Sequence, residues 1–326
     1  MTLKKVAWIG GIAAFLYVAA MVIVLNTVEE IPPLQPFGAL LIVLAGIVQI
    51  AAKWSFGALF RESVEETGQT LKPFSAFKGA LVGAGVARLI PAGGAITPVA
   101  MSWTVRDEVK QSAGPAIRAV LLNYSGLLIM TGAAILVVRP SVAIASISLT
   151  VAAAIALAVG LLLMFGSGRL GSLNKYLPAF LSRRLEPSMV NHMPGWASQL
   201  HIWLRLALEA SALGFVLAAF GIDIGPIEVI AAFGFASLVG GIPGTPGGLG
   251  IVEAGLVFIL AAYGLRAGTT VAPVLVFRIV SYWLPAALGS LAGGATFLSS
   301  PEAAEVAAEA ASEATSDAST ESSSDS

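Results

Sequence analysis

Two long apolar stretches are each interrupted by proline and glycine, and these interruptions constrain the fold more than any other feature of the sequence. Gly79 to Trp103 contains Ile90-Pro91-Ala92-Gly93-Gly94, and Ile227 to Leu265 contains Ile242-Pro243-Gly244-Thr245-Pro246-Gly247-Gly248. Lipid offers no hydrogen-bond partner, so irregular backbone at membrane depth must be buried in protein or line a watery cavity. We therefore expect each stretch to form a re-entrant hairpin of two half-helices. The alternative, in which each cluster only bends one packed helix, stays open.

Other stretches are apolar over about the 20 residues that a helix needs to cross the hydrocarbon core of a bilayer. Only 11% of the residues are charged and 57% are hydrophobic, which excludes an ordinary soluble domain, where about a quarter are charged. The chain is therefore expected to be an all-α integral membrane protein with six spanning helices and the two hairpins. The predicted spans are Val6 to Leu25, Phe37 to Ala52, Ala119 to Val138, Val142 to Phe165, Ala197 to Phe220 and Val271 to Leu298.

The distribution of Lys and Arg predicts the orientation of these spans through the positive-inside rule. Asn26 to Pro36 has two glutamates and no basic residue, so it is expected outside, and Asp223 lies in a second outer loop. Both flanks of Gly79 to Trp103 are basic, so that hairpin enters and leaves on the cytoplasmic side. Both termini are then cytoplasmic, and Arg266 is the exception to the rule. The residues assigned to the cytoplasmic side are Lys4, Lys5, Lys53, Arg61, Lys72, Lys78, Arg106, Lys110, Arg118, Arg169, Lys175, Arg183 and Arg184.

The order of the predicted elements indicates an inverted repeat. Helix, helix, hairpin, helix occurs once over about residues 1–138 and again over 142–298, with the first half beginning inside and the second outside. In secondary transporters with inverted repeats, broken segments at corresponding positions meet at a site near the midplane. The free N–H groups at half-helix ends attract anions. The pattern therefore predicts an anion site between the two hairpin tips.

Charge is distributed unevenly along the chain. Seven of the 19 acidic residues lie in the tail 299–326, which has no basic residue, and this leaves 12 against 18 Lys and Arg in residues 1–298. That body carries about +6 and favours an anionic lipid as surface or substrate. No basic stripe with interleaved aromatic residues suggests nucleic acid. The polar, acidic tail is expected to be disordered and cytoplasmic.

Five charged residues fall inside apolar segments, where each would cost about 2.5 to 3.5 kcal/mol if it faced lipid. Arg205 and Glu209 are four residues apart on one helix, so we interpret them as a structural ion pair. Arg88 lies just before the first tip, and we favour a headgroup phosphate as its partner over an ion pair with Glu253. Arg278 either lines the same cavity or extends to the interface by snorkelling.

Nothing in the sequence indicates catalysis. It has no cysteine and two histidines, too few for a metal site, and no nucleophile with a base, P-loop or dinucleotide fingerprint. We therefore expect neither an enzyme nor a bound cofactor or metal.

The second tip and the last helix carry a family resemblance. Gly247-Gly248-Leu249-Gly250-Ile251-Val252-Glu253 and the Arg278 to Tyr282 spacing resemble the Gly-Gly-x-Gly-x-x-Glu turn and Arg-x-x-x-Tyr helix of the flippase-like transmembrane domain of lysylphosphatidylglycerol synthases, shared with small bacterial and archaeal membrane proteins. The likeness extends to about Leu298. The first tip departs from the common Pro-Gly-x-Gly-Glu-x-x-Arg form, because Pro91 to Pro98 lacks the Glu and the later Arg.

This resemblance implies a lipid translocase of the cell membrane that moves an anionic or aminoacylated phospholipid or a polyprenyl-phosphate-linked lipid. Only residues 299–326 follow the last span, so we expect no aminoacyl-transferring domain. The alternative is a non-transporting scaffold for a membrane-associated synthase or glycosyltransferase. The predicted substrate-binding residues are Arg88, Pro91, Gly93, Gly94, Pro246, Gly247, Gly248, Glu253 and Arg278.

Overall fold

The computed structural model describes residues 31–89, 93–140, 143–144, 147–165, 193–241 and 246–301, together with positions 17, 19, 21–23 and 26. In this part of the chain, helices make up almost all regular structure. The helices are α1 (Gly38–Glu65), α2 (Pro73–Leu89), α3 (Gly93–Val105), α4 (Ala113–Val138), α5 (Leu149–Phe165), α6 (Trp196–Ala219), α7 (Pro226–Gly240), α8 (Ile251–Ala262) and α9 (Ala267–Leu298).

Four of these helices, α1, α4, α6 and α9, are 24 to 32 residues long and apolar enough to cross a membrane. The shorter apolar helices α5, α7 and α8 accompany them. Side chains such as Leu40, Val43 and Ile47 on α1 and Ile155 and Leu162 on α5 are exposed, as expected of surfaces that face lipid. The chain is a multi-pass membrane protein.

The first broken stretch is a pair of helices that turns back on itself. Helices α2 and α3 pack against each other and are 17 and 13 residues long, at or below the lower end of the roughly 17 to 25 residues of a spanning helix. The two flanks lie side by side, since the Ser75 hydroxyl donates to the Glu108 carboxylate at 2.6 Å and the Lys110 N–H donates to Gln69 at 3.2 Å. This geometry agrees with the predicted hairpin and not with a single bent helix.

The second broken stretch also forms two packed helices. Pro226 at the start of α7 has no N–H to leave unsatisfied, and α7 ends at Gly240. A short 3₁₀ turn, Pro246–Gly248, precedes α8, and the rings of Phe235 and Phe258 lie 5.9 Å apart where α7 and α8 pack. Three residues of the turn region, Gly247, Gly248 and Gly250, have φ of 54°, 69° and 82°, a backbone conformation that favours glycine.

The last helix, α9, is not uniformly α-helical, and its backbone is kinked at Gly293, whose φ is 129°. Two π-helical segments of five residues each interrupt it. Such segments are rare and frequently occur at functional sites. The pieces of α9 are Ala267–Arg278 (α), Ile279–Trp283 (π), Leu284–Gly289 (α), Ser290–Gly294 (π) and Ala295–Leu298 (α).

Two predicted boundaries on the basic side were wrong. Helix α1 continues 13 residues past Ala52, so Lys53 is not in a cytoplasmic loop but is 3% exposed inside the helix bundle. Helix α4 begins at Ala113, and Arg118 is 6% exposed and paired with Glu66. In both cases a carboxylate from another part of the chain makes burial of the cation tolerable.

The predicted span Val142 to Phe165 also begins too early. Ala143–Ile144 and Ile147–Ser148 form an antiparallel two-residue ladder, and helix α5 starts at Leu149. The Ser148 hydroxyl accepts a hydrogen bond from the Thr150 N–H at 3.3 Å, which helps to begin the helix. The predicted span Ala197 to Phe220 agrees with α6 within one residue at each end.

Some predictions lie outside the described residues. These are most of the first span, Thr27 to Glu30 of the first outer loop, the loop with Arg169 to Arg184, the first tip at Ile90 to Ala92, Ile242 to Thr245 of the second tip and the acidic tail beyond Pro301.

Candidate functional site

A cavity of about 260 Å³ lies where the two hairpins meet α1, α4, α6 and α9. Its wall carries four cations and one acid, a strong positive excess for a membrane-embedded space. The charged residues of the wall are Lys53, Arg88, Arg205, Arg278 and Glu209. Its uncharged polar residues are Gln49, Thr97, Asn123, Tyr124, Ser237, Ser281 and Tyr282.

Arg88, at the end of α2, joins the first hairpin to the last helix. Its Nη1 donates to the carbonyl oxygen of Ala84 at 2.6 Å, and its Nη2 donates to the carbonyl oxygen of Ser281 at 2.8 Å. The Tyr282 hydroxyl in turn donates to the carbonyl oxygen of Arg88. Among the described residues no carboxylate lies within ion-pair distance of Arg88, so carbonyl groups hold its guanidinium in place without a direct ion pair.

Arg278 is the partner of Glu253. The Arg278 Nε donates to Glu253 Oε1 at 2.8 Å, and Glu253 Oε2 accepts the N–H of Gly250 at 2.8 Å, so this one carboxylate also caps α8. The alternative of an Arg88 to Glu253 ion pair was therefore wrong in this structure. Arg278 is 6% exposed in the cavity wall, which excludes snorkelling to the interface.

A three-residue ion cluster forms the opposite wall. The Glu209 carboxylate contacts Lys53 Nζ and lies 3.3 Å from Arg205 Nη2. The local pair of Arg205 and Glu209 was correctly predicted, but Lys53 was missed. The guanidinium of Arg205 also stacks over the ring of Phe56 at 4.5 Å, while its Nε and Nη1 find no hydrogen-bond acceptor in the described part of the chain. One acid thus serves two cations here, and the cluster keeps a net positive charge.

The tip of the second hairpin touches the first hairpin and α9. The Arg278 Nη2 donates to the carbonyl oxygen of Gly247 at 3.2 Å. A Cβ at Gly247 would lie 3.1 Å from the Cα of Arg88 and collide with the ring of Tyr282. A glycine is therefore needed at position 247, where the two hairpins meet. The sequence alone did not reveal this close approach.

The structure brings most of the predicted site residues together. The cavity wall includes Arg88, Gly94, Gly247, Gly248 and Arg278, and Glu253 lies directly behind Arg278. Gly93 begins α3 and Pro246 begins the 3₁₀ turn at the edges of the two tips, while Pro91 lies outside the described residues. Whether these residues bind a substrate stays a prediction.

Several polar residues of the wall were not predicted from the sequence. Asn123 is 8% exposed, and Ser281 Oγ is also buried; neither Asn123 Oδ1 nor Ser281 Oγ has a hydrogen-bond partner among the residues that the structure describes. The Tyr124 hydroxyl lies 3.2 Å from where a Cβ at Gly94 would be. Of these polar residues, only Tyr282 could have been predicted from the sequence, because it follows Arg278 at the spacing of the Arg-x-x-x-Tyr helix.

The donor set of the cavity suits an anion rather than a metal ion. Arginine and lysine supply N–H donors and positive charge, which bind phosphate or carboxylate oxygens. Across the described part of the chain, no group of three His, Asp or Glu residues could hold a metal.

Comparison with known proteins supports the same family as the sequence motifs. Residues 5–289 match the family model of the lysylphosphatidylglycerol synthase TM region. Two proteins of Methanothermobacter thermautotrophicus, each named UPF0104 membrane protein, are similar over shorter segments. One is 33% identical over 88 residues and the other 38% identical over 92 residues. Each segment covers 27% of this chain, and 25% and 26% of the respective relatives, so the chain matches about a quarter of their length.

Proposed function

Because the chain belongs to the family of the lysylphosphatidylglycerol synthase transmembrane region, we propose that it is a lipid translocase. Its substrate is a membrane lipid with an anionic headgroup. The single observation that carries this proposal is the cavity between the two hairpins, whose wall has four cations against one acid. A headgroup phosphate would bind these donors while the hydrocarbon tails remain in the bilayer.

The proposed mechanism is alternating access in the cell membrane. The chain would have six spans and two re-entrant hairpins in two inverted halves, with both termini in the cytoplasm. Arg88 and Gly94 come from one hairpin and Gly247 and Gly248 from the other, so relative movement of the hairpins would open the cavity to either side. The protein would bind and release the headgroup without covalent chemistry, so no catalytic residue or cofactor is assigned.

The proposal is tested by removing the charge of Arg88, which has no direct ion-pair partner in the described part of the chain. In vesicles reconstituted with the purified protein and labelled phosphatidylglycerol, Arg88→Ala should abolish transbilayer movement of the lipid, because the phosphate loses its charge-assisted contact. Arg88→Lys should retain part of the rate, since an ammonium cannot grip two phosphate oxygens with a planar fork.

Arg106→Ala is the matched control. This arginine is exposed, stacks over Trp103 at 4.1 Å and lies outside the cavity, so its removal should leave the rate unchanged. Parental rates in both Arg88 variants would contradict the proposal and favour the scaffold, for which the loop 167–194 or the tail would matter instead. Protein yield and the melting temperature in detergent separate loss of movement from loss of folding.

A further inference from the structure

The charges of the cavity specify the headgroup more closely than the proposed function, on which this inference rests. We propose that the site selects a phosphate-bearing lipid whose headgroup carries hydroxyl groups and no ammonium, and that it rejects aminoacylated phospholipids. Three observations carry this proposal: the pairing of the acids, the unpartnered donors of Arg205 and the buried amide of Asn123.

Both acids in and behind the wall are already paired with cations. Glu209 contacts Lys53 and Arg205, and Glu253 contacts Arg278 and caps α8. With Arg88, these six charged residues have a net charge of +2, and the described part of the wall offers no free carboxylate. The sequence of the two tips, residues 90–92 and 242–245, contains no charged residue. A lysyl headgroup, which bears two ammonium groups, would enter this space against the field and without a partner.

Donors suited to a phosphate are free in the same wall. Arg205 Nε and Nη1 are buried without acceptors, which is costly unless a ligand supplies oxygens. Arg88 donates only to carbonyl oxygens and has no ion-pair partner among the described residues. A phosphate that reached both arginines would satisfy the open donors and neutralise part of the excess charge.

An acceptor suited to a hydroxyl group lies beside these cations. Asn123 is more than nine-tenths buried, lines the cavity, and its Oδ1 has no partner. Ser281 Oγ is a second unpartnered group of the wall. Because the same wall carries four cations, a neutral hydroxyl suits Asn123 Oδ1 better as a hydrogen-bond donor than an ammonium does. A glycerol, other polyol or single sugar attached through the phosphate has this chemistry.

The size of the cavity supports a small headgroup. About 260 Å³ lies just below the roughly 300 to 1,000 Å³ typical of small-molecule pockets. One phosphate with one polyol or sugar unit is in keeping with this volume, whereas a long oligosaccharide would have to extend out of it.

The test compares lipids with identical acyl chains on the full-length protein. Transbilayer movement is measured for phosphatidylglycerol, phosphatidic acid and lysylphosphatidylglycerol in vesicles, and competition for bound labelled phosphatidylglycerol is measured in lipid nanodiscs. We expect phosphatidylglycerol to bind and move fastest, phosphatidic acid more slowly, and lysylphosphatidylglycerol at least about tenfold more weakly. Glycerol phosphate without acyl chains is added as a competitor and should displace the lipid poorly.

Two variants of Asn123 make the test specific to this wall. Asn123→Leu removes the acceptor and should equalise phosphatidylglycerol and phosphatidic acid while both still exceed lysylphosphatidylglycerol. Asn123→Asp adds a carboxylate and should improve competition by lysylphosphatidylglycerol about tenfold. Gln69→Glu adds the same charge outside the cavity, in the loop before α2, and should change neither ratio.

The outcomes separate this inference from the proposed function. Movement of all three lipids at equal rates would overturn the selectivity and leave the translocase intact. Selective binding without movement of any lipid would overturn the translocase and leave the selectivity intact. Equal competition by lysylphosphatidylglycerol, or displacement by glycerol phosphate as effective as by the lipid, would overturn the inference directly.

Discussion

At the scale of single residues, the buried charges depend on acids that each serve more than one donor. Glu209 is 7% exposed and holds both Lys53 and Arg205. Removing one member of a buried ion pair is costly because the remaining charge loses its partner, whereas an exposed pair contributes little. The carboxylate of Glu209 therefore stabilises two of the four cations of the cavity wall, Lys53 and Arg205.

We predict that Glu209→Gln destabilises the protein by about 3 to 5 kcal/mol, because two buried cations lose their counter-ion. The measurement is thermal unfolding in detergent, with protein yield beside it. The double variant Lys53→Met with Glu209→Gln should recover part of the loss, since one stranded cation is then absent. Glu65→Gln is the control, because Glu65 pairs with Arg61 at the surface and its loss should cost less than about 1 kcal/mol. An equal effect of the two single variants would show that the cluster is not structural.

At the scale of elements, two glycines without side chains allow the first hairpin and the last helix to pack at close range. A Cβ at Gly289 of α9 would lie 2.7 Å from the Cα of Gly85 on α2 and would collide with the carbonyl oxygen of Leu81. Small residues at such contacts let helix backbones approach closely within a membrane.

We predict that Gly289→Ala forces α9 away from α2 and costs about 1 to 3 kcal/mol of stability, the usual range for overpacking. The temperature of thermal unfolding should fall. The rate of lipid movement should fall as well, since Arg278 and Tyr282 reach the cavity from the same helix. Gly268→Ala, at the start of α9, is the control: a Cβ there meets nothing within 4 Å, so this change should be neutral or stabilising. Similar unfolding temperatures for the two variants would contradict the prediction, because they would show that α2 and α9 can move apart without loss of stability.

At the scale of the whole molecule, the arrangement of the hairpins depends on where their flanks lie relative to the membrane. The flanks of the first hairpin meet at one end of the bundle, where Lys72, Arg106 and Lys110 are exposed. Asp223 is exposed in the connection between α6 and α7. The proposed topology puts these two regions on opposite sides of the membrane.

The chain has no cysteine, so single cysteines report this topology directly. An impermeant thiol reagent added to intact cells should label a cysteine at Asp223 and should not label one at Arg106 or Lys72. Permeabilised cells provide the control, because all three positions should then react. Labelling at Arg106 in intact cells would show that residues 79–103 cross the membrane, and the inverted repeat would then be wrong.

The sequence by itself determined the class of the protein and the positions of its two breaks. Apolar runs of about 20 residues have few stable forms other than membrane helices, and Pro and Gly interrupt a helix wherever they cluster. The sequence therefore predicted both pairs of helices but not their bounds. The first pair begins at Pro73, six residues before the predicted start, and the second begins at Pro226, one residue before it. These signals are local, so neighbouring residues are enough to read them.

Only the tertiary structure decided which charges meet. Lys53 and Glu209 are 156 positions apart, Arg88 and Ser281 are 193 apart, and Glu253 pairs with Arg278 instead of Arg88. Hydropathy and the positive-inside rule treated Lys53 as a loop residue, because a lone lysine after an apolar run usually marks the membrane edge. Its burial depends on a carboxylate supplied by α6, and such a pairing arises from the packing of distant helices rather than from any local pattern.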